Sequence, residues 1–179
     1  MYWLSDYDEI ARLREPLKLK EFVICKDRHS RLIGFQTRIQ AMSSGQVYEL
    51  TQFGSAKMGA GASCEVVDVE RYAEAIKRVT VYFDDDGVQG IKLSGGASSG
   101  ETFVRLGNTR GADYYKTILL DGRLVGFEGM ESYDPTKVTR LRLIQQRDTY
   151  ISSQPTAEVH YTCHPFFHEV KKKPELSAD

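Results

Sequence analysis

The chain has 179 residues, 41% of them hydrophobic and 27% charged, which is enough to bury the core of one globular domain. Its 24 basic and 25 acidic residues leave a net charge of -1. This balance disfavours a general nucleic-acid-binding protein, because such proteins need excess positive charge. No run of eighteen apolar residues predicts a membrane span, and the N-terminal residues lack the pattern of a signal peptide.

The three cysteines, Cys25, Cys64 and Cys163, are odd in number and widely spaced. This pattern favours free thiols in a reducing compartment over a disulfide framework. We therefore expect an intracellular protein, cytoplasmic or organellar.

The first predicted element is a short helix in the sequence SDYDEIARLRE, residues 5–15. Ser5 or Asp6 is a suitable N-cap, and acidic residues occupy the first turn. Pro16 disfavours a helical conformation at Glu15, so the helix is expected to end there.

The next segment predicts a β-hairpin and a third strand. Apolar residues alternate with polar ones before and after the turn sequence KDRHS, and the alternation resumes in QVYELTQFG. The sequence SAKMGAGAS that follows has no periodicity and predicts a loop.

The middle of the chain carries the strongest strand signal. Val79, Val81 and Phe83 alternate with polar residues, the sequence DDDG predicts a turn, and Val88 and Ile91 resume the apolar pattern. The preceding ERYAEAIKR is compatible with a strand or with one or two helical turns.

The last third predicts further strands. RGADYYKTILLDGRLVGFEG predicts a hairpin around Asp121 and Gly122, because glycine permits the positive φ of a tight turn. KVTRLRLIQQ alternates cleanly. The whole pattern is that of an all-β protein.

Three related segments recur along the chain. The sequence RLIGF at residues 31–35 is echoed by RLVGF at 123–127, and DDGVQGIKL lies between them. Residues 19–35 and 76–91 share one unit, and GRLVGFEG followed by VTRLRLI supplies a third copy. One copy cannot bury its apolar face alone, so three sheets around one axis, a β-prism, are predicted. The expected common core comprises Phe22, Ile24, Ile33, Phe35, Val79, Val81, Ile91, Val125, Phe127, Leu141 and Leu143.

The segments AIKRVTVYFDDDGVQGIKLSGG and DGRLVGFEG…VTRLRLI resemble the jacalin-related lectin family. The resemblance implies a β-prism of three four-stranded Greek-key sheets with pseudo-threefold repeats. It covers residues 17–145. Residues 1–16 are expected to form a lead-in arm with the short helix, and residues 146–179 an extended C-terminal arm.

The same resemblance implies a candidate carbohydrate site. Sugar-binding family members hold the ligand between a glycine pair and a loop of form G-x-x-x-D. Four residues separate Gly129 from Asp134 where the family has three, and Thr136 lies near the position expected for the aspartate. The candidate sugar-binding residues are Gly95, Gly96, Gly129, Glu131, Tyr133 and Asp134.

The C-terminal sequence HYTCHPFFH contains weak candidate metal ligands. Its spacing does not match known zinc motifs, and Pro165 breaks any helix that would align the histidines. The weak candidates are His160, Cys163, His164 and His168. The adjacent aromatic residues are more consistent with a segment that anchors the arm.

The acidic run at residues 84–86 is interpreted as a turn, because calcium requires six to eight oxygen ligands and no calcium-loop spacing surrounds it.

No catalytic motif is present and no cofactor is predicted. The preferred hypothesis is a structural or scaffolding subunit that joins other protein subunits, or copies of itself, through its terminal arms. The candidate partner-docking residues are Trp3, Tyr161, Phe166 and Phe167. The alternative hypothesis is a carbohydrate-binding module with glycans as ligands.

Overall fold

The computed structural model of the chain describes residues 2–54, 63–96, 100–131, 138–158 and 171–172. These form thirteen strands, one α-helix and one 3-10 turn at Glu70–Tyr72. In chain order the elements are β1 (Tyr2–Ser5), α1 (Tyr7–Leu13), β2 (Leu17–Lys26), β3 (Leu32–Ala41), β4 (Val47–Gly54), β5 (Ser63–Asp68), β6 (Arg78–Asp84), β7 (Gly87–Ser94), β8 (Thr102–Gly107), β9 (Tyr114–Leu119), β10 (Arg123–Glu131), β11 (Val138–Arg147), β12 (Tyr150–Glu158) and β13 (Lys171–Lys172).

The strands form three antiparallel sheets around one core. The first has the order β1-β10-β11-β12, the second β13-β9-β6-β7-β8 and the third β4-β3-β2-β5. In the second and third sheets the fourth strand returns to lie beside the first, which is a Greek key. The first sheet has the same arrangement, but the N-terminal strand β1 takes the place of the fourth strand. The predicted β-prism with three related sheets is therefore confirmed.

The repeat units correspond to the three central hairpins β2–β3, β6–β7 and β10–β11. The echo between RLIGF and RLVGF does not follow this symmetry. RLIGF lies at the start of β3, the second strand of its hairpin, whereas RLVGF lies in β10, the first strand of its own. Similar pentapeptides thus occupy different places in the repeat.

The predicted hairpin around Asp121 and Gly122 is wrong. β9 belongs to the second sheet and β10 to the first, so the tight turn between them carries the chain from one sheet to the next. The backbone N–H groups of Asp121 and Gly122 donate to Gln145 Oε1 at 2.8 and 3.0 Å. A turn sequence alone does not distinguish these two outcomes, because both need the same local backbone.

The predicted N-terminal helix is confirmed as α1. It ends at Arg14, whose φ of 51° closes the helix in the left-handed region before Pro16. No helix among the described residues is long and apolar enough to cross a membrane. The undecided segment after β5 forms the short 3-10 turn.

The core contains ten of the eleven residues predicted for it. The rings of Phe35 and Phe53 stack at 5.0 Å, and Phe127 meets Phe35 edge-on at 5.3 Å, so side chains of the first and third sheets interlock. Ile33 is the exception and is half-buried, because a register shift at the end of β2 brings Leu32 into the core in its place.

The terminal segments contribute strands to the prism. β1 pairs with β10, β12 pairs with β11, and the short β13 pairs with β9. The proposed boundary at residue 145 falls inside β11. The domain limits stay predictions, but strands from both terminal segments belong to the sheets of the prism.

The prediction of free thiols is wrong for two of the three cysteines. Cys25 and Cys64 form a disulfide between β2 and β5, where they lie directly opposite each other. The pairing is not evident from the sequence, because the two cysteines have a sequence separation of 39 and only the Greek-key return brings β5 beside β2. Cys163 lies outside the described residues. The intracellular location stays a prediction, and its argument from free thiols no longer holds.

A buried carboxyl at Asp6 joins the N-terminal segment to two sheets. Its Oδ1 accepts a hydrogen bond from the Thr51 N–H, and its Oδ2 accepts one from the Phe127 N–H, each at 2.9 Å. A Cβ at Gly126 would lie 2.9 Å from this carboxyl and 2.7 Å from Ile10, so only glycine allows so close an approach. Asp6 therefore connects α1, β4 and β10.

Burial raises the pKa of Asp6 from 3.8 to about 7, against the lowering effect of its two backbone hydrogen bonds. The folded chain keeps this proton to about pH 7, whereas the unfolded chain loses it near pH 3.8. The stabilisation from protonated Asp6 is therefore complete below pH 3.8 and declines as the pH rises to about 7.

We expect Asp6→Ala to lower the free energy of unfolding by about 2–5 kcal/mol at pH 5, because the buried N–H groups of Thr51 and Phe127 lose their acceptor. The difference from wild type should narrow by pH 8. Urea denaturation at both pH values measures it, with the exposed Asp8→Ala on the same helix as control. A cost that stays constant or grows with pH would contradict the raised pKa.

We expect Phe35→Ala and Phe127→Ala each to lower the free energy of unfolding by about 3–5 kcal/mol. Their ring contact should give a coupling of about 0.5–1.5 kcal/mol in a double-mutant cycle. Tyr150→Ala is the control, since this side chain is 75% exposed. Unchanged thermal stability in both phenylalanine variants would show that the repeats do not share one core.

Candidate functional site

One end of the prism carries the turns of the three equivalent hairpins, and we call it the turn end. Arg31 Nη2 lies 3.7 Å from Asp86 Oδ2, which links the turn of the third sheet to that of the second. A Cβ on Gly87, whose φ is +130°, would lie 2.7 Å from the carbonyl oxygen of Val138 in the first sheet. Among the described residues, the turn end comprises residues 27–31, 84–87 and 108–113, together with Glu131 and Val138, which pair with each other across β10 and β11. The link 132–137 between these two residues lies outside the described residues.

Asp84 is a partly buried carboxyl at this end. Its Oδ1 accepts hydrogen bonds from the Asp86 N–H at 2.9 Å and from Gln89 Nε2 at 3.0 Å. Burial raises the pKa of Asp84 above its ordinary value, while the hydrogen bond from Asp86 and the nearby charge of Arg31 lower it. Carboxyl, amide and guanidinium groups therefore lie together.

The surrounding turns are held by side-chain hydrogen bonds to the backbone. Asp27 Oδ1 accepts from the N–H groups of His29 and Arg31 at 2.8 and 3.0 Å. Asn108 Oδ1 accepts from those of Arg110 and Gly111 at 3.0 and 2.8 Å. Such Asx turns fix the backbone, so the polar groups of the turn end are presented in defined positions.

Two of the predicted sugar-binding residues contribute to the structure of the first sheet. Glu131 is 2% exposed, and its Oε1 accepts a hydrogen bond from the Gly54 N–H. Gly129 faces the core, where an added Cβ would lie 3.1 Å from the Phe53 ring. Whether either residue contacts a ligand stays a prediction.

The predicted glycine pair lies at the opposite end of the prism. Gly95 follows the last residue of β7, whereas the turn end begins at the first residue, Gly87. Eight residues of strand separate the two ends by about 23 Å. The N–H of Gly95 donates to the Glu101 carbonyl at 2.9 Å, and Gly96 lies beside Lys77. The structure does not bring this pair together with Glu131.

The remaining candidates lie wholly or partly outside the described residues. Trp3 pairs through its backbone with Met130, and its side chain is not described. In the part of the chain that the structure describes, no group of three His, Cys, Asp or Glu side chains is arranged to hold a metal ion. The candidates outside the described residues are Tyr133, Asp134, His160, Tyr161, Cys163, His164, Phe166, Phe167 and His168.

Sequence analysis missed the polar cluster formed by Arg31, Asp84 and Gln89. The DDDG signal was available, but it predicted only a turn. The symmetry of the three hairpins was the usable signal, because equivalent turns in related sheets must meet at the same end.

No family model matches the chain, and no curated protein matches it. Its fold is similar to that of solved lectins. Frutalin from Artocarpus incisa, solved with galactose, is 15% identical with a TM-score of 0.56, over 85% of this chain and 99% of that one. The galactose-binding lectin from champedak is 16% identical with a TM-score of 0.52, over 80% of this chain and 98% of that one. Jacalin, solved with T-antigen, is 15% identical with a TM-score of 0.54, over 87% of this chain and 99% of that one. The chain therefore has the β-prism fold of jacalin-related lectins.

We expect Glu131→Ala to lower the free energy of unfolding by about 1–3 kcal/mol, because the Gly54 N–H loses its acceptor. Chemical denaturation measures the change, with the exposed Glu101→Ala as control. Equal stability of the two variants would contradict a structural role for Glu131.

Proposed function

We propose that this chain is a carbohydrate-binding module, with no catalytic step, that binds a galactose-type saccharide at the turn end. The observation that carries the proposal is the fold. At least 80% of the chain matches lectins solved with galactose or T-antigen, or named for galactose binding.

The chemistry of the turn end supports this placement. Asp84, Asp86 and Arg31 supply carboxylate oxygens and a guanidinium, and carboxylates accept strong hydrogen bonds from neighbouring hydroxyls. A saccharide site needs a few such groups in fixed directions. The Asx turns at Asp27 and Asn108 supply that rigidity.

At the opposite end, one cluster of a guanidinium and an amide side chain is bonded to the chain itself. Arg123 donates to the carbonyl oxygens of Leu17 and Asp148 and to Gln146 Oε1. Gln146 Oε1 also accepts from the Leu17 N–H at 2.7 Å. These contacts join β2 to β10 and β11 at this end of the prism.

The link 132–137 is the part of the proposed site that differs from the lectin pattern. Its aspartate, Asp134, is displaced by one residue from the family spacing. We propose that Tyr133 and Asp134 contribute to ligand contact despite this shift, since the residues that flank the link lie at the turn end. The altered spacing is expected to change which saccharide is preferred.

The scaffolding hypothesis is not favoured by any structural observation. Terminal strands β1 and β13 each pair along one edge with a strand of their own chain. A role for Trp3, Tyr161, Phe166 and Phe167 in docking other subunits stays a prediction.

A glycan array followed by titration calorimetry with methyl α-galactoside tests the function. We expect saturable binding to at least one class of glycans, with terminal galactose as the first candidate. No saturable binding to any glycan, by a chain whose fold is verified by circular dichroism, would refute the proposal.

We expect Asp134→Asn and Asp86→Asn each to weaken saccharide binding about 10- to 100-fold, because each removes a charged hydrogen-bond acceptor. Asp121→Asn at the opposite end is the matched control and should leave the affinity unchanged. Calorimetry with the glycan selected by the array measures the difference. A loss in the control alone would place the site at the other end of the prism.

A further inference from the structure

The Cys25–Cys64 disulfide joins an edge strand to the third sheet. It lines a shallow pocket of about 100 Å³ on the outer face of that sheet. Gly34, which has no side chain, and the amides of Gln36 and Gln52 also line it. The bond therefore lies on the outer face of the third sheet, and its Cys25 side is buried.

Strand β5 has few other attachments among the described residues. Among the described strands it pairs with β2 alone, through residues 63–68. Four of its six residues are exposed, and Val67 is its only hydrophobic side chain packed against the core. The ion pair between Lys26 and Glu65 at 3.1 Å is at the surface, where such pairs contribute little. The disulfide is thus a principal constraint on β5.

The two sulfurs differ in accessibility. Cys25 is 4% exposed, whereas Cys64 is half-buried at the sheet edge. Thiol–disulfide exchange requires access of a thiolate to one sulfur. We propose that the Cys25–Cys64 pair is a reversible redox-modification site, at which a dithiol reductant opens the bond and releases β5 from the sheet edge.

The exchange proceeds in two steps. A thiolate of the reductant attacks Cys64 Sγ, the disulfide breaks, and Cys25 leaves as a thiolate that takes up a proton. The second thiol of the reductant, as a thiolate, then attacks the reductant sulfur that is bonded to Cys64 in the mixed disulfide. Cys64 is released as a thiolate and takes up a proton. Two electrons pass to the protein pair, and the reductant becomes a disulfide.

Release of β5 would reach the turn end along β2. Cys25 lies two residues before Asp27, whose carboxylate holds the turn that presents Arg31 to Asp86. Loss of the outer strand leaves β2 paired on one side only. Reduction should therefore loosen this turn and lower the affinity for the saccharide. This consequence rests on the proposed function, whereas the opening of β5 is independent of it.

Hydrogen exchange measured by mass spectrometry tests the opening directly. The full chain carrying Cys163→Ser, so that only one pair can exchange, is compared before and after treatment with dithiothreitol. We expect residues 63–68 to exchange at least about tenfold faster after reduction, while β6 keeps its protection. Reoxidation should restore the slow exchange.

The double variant Cys25→Ala, Cys64→Ala is the matched control. It should show fast exchange in residues 63–68 with or without reductant. Three results would overturn the proposal: equal exchange in both states, loss of protection in all strands together, or alkylation of both cysteines in the unreduced chain.

Saccharide titration of the oxidised and reduced chain separates this inference from the proposed function. Opening of β5 with weakened saccharide binding supports both. Opening of β5 in a chain that binds no glycan in either state supports the redox site and refutes the proposed function.

Discussion

The prism depends on the buried carboxyl of Asp6, which fixes the N-terminal segment against two sheets. Among the described strands, none that follows β12 joins the first sheet, and β1 lies beside β10 in the place of the fourth strand. Asp6 follows β1 directly and accepts hydrogen bonds from backbone N–H groups of β4 and β10. An apolar residue could fill the space but would leave both donors unpaired, which costs more than burying the acid in its neutral form.

Closure of the three sheets also determines which turns lie together at the proposed ligand site. The hairpins are equivalent, so their turns meet at one end, where the connection between β8 and β9 also lies. The connections at residues 42–46 and 120–122 lie at the opposite end. At the opposite end, Arg123 donates hydrogen bonds to the carbonyl oxygens of Leu17 and Asp148. At the turn end, Asp84, Asp86 and Arg31 lie at the surface of turns already held by Asx bonds. The fold therefore fixes the position of these turns, and the turn residues supply the carboxyl and guanidinium groups.

The sequence predicted the features that depend on local pattern: the strands, the short helix, the repeated hairpins and nearly all of the tested core. It did not predict contacts that depend on sheet order. The disulfide between Cys25 and Cys64 required knowing that β5 returns to β2, and the role of Asp6 required knowing that β4 and β10 meet there. The family resemblance assigned Gly95 and Glu131 to one sugar site, whereas the strand directions place these residues at opposite ends of the prism. Alternation reveals which face is buried, but not which strands become neighbours.

Chemical-shift mapping of the ¹⁵N-labelled chain during titration with methyl α-galactoside, or with a glycan selected by the array, tests directly whether the turn end binds a saccharide. We expect saturable shifts concentrated in residues 27–31, 84–87, 108–113 and 132–137. Shifts concentrated in residues 42–46, 95–101 and 120–122, or no saturable shifts in a folded chain, would contradict it.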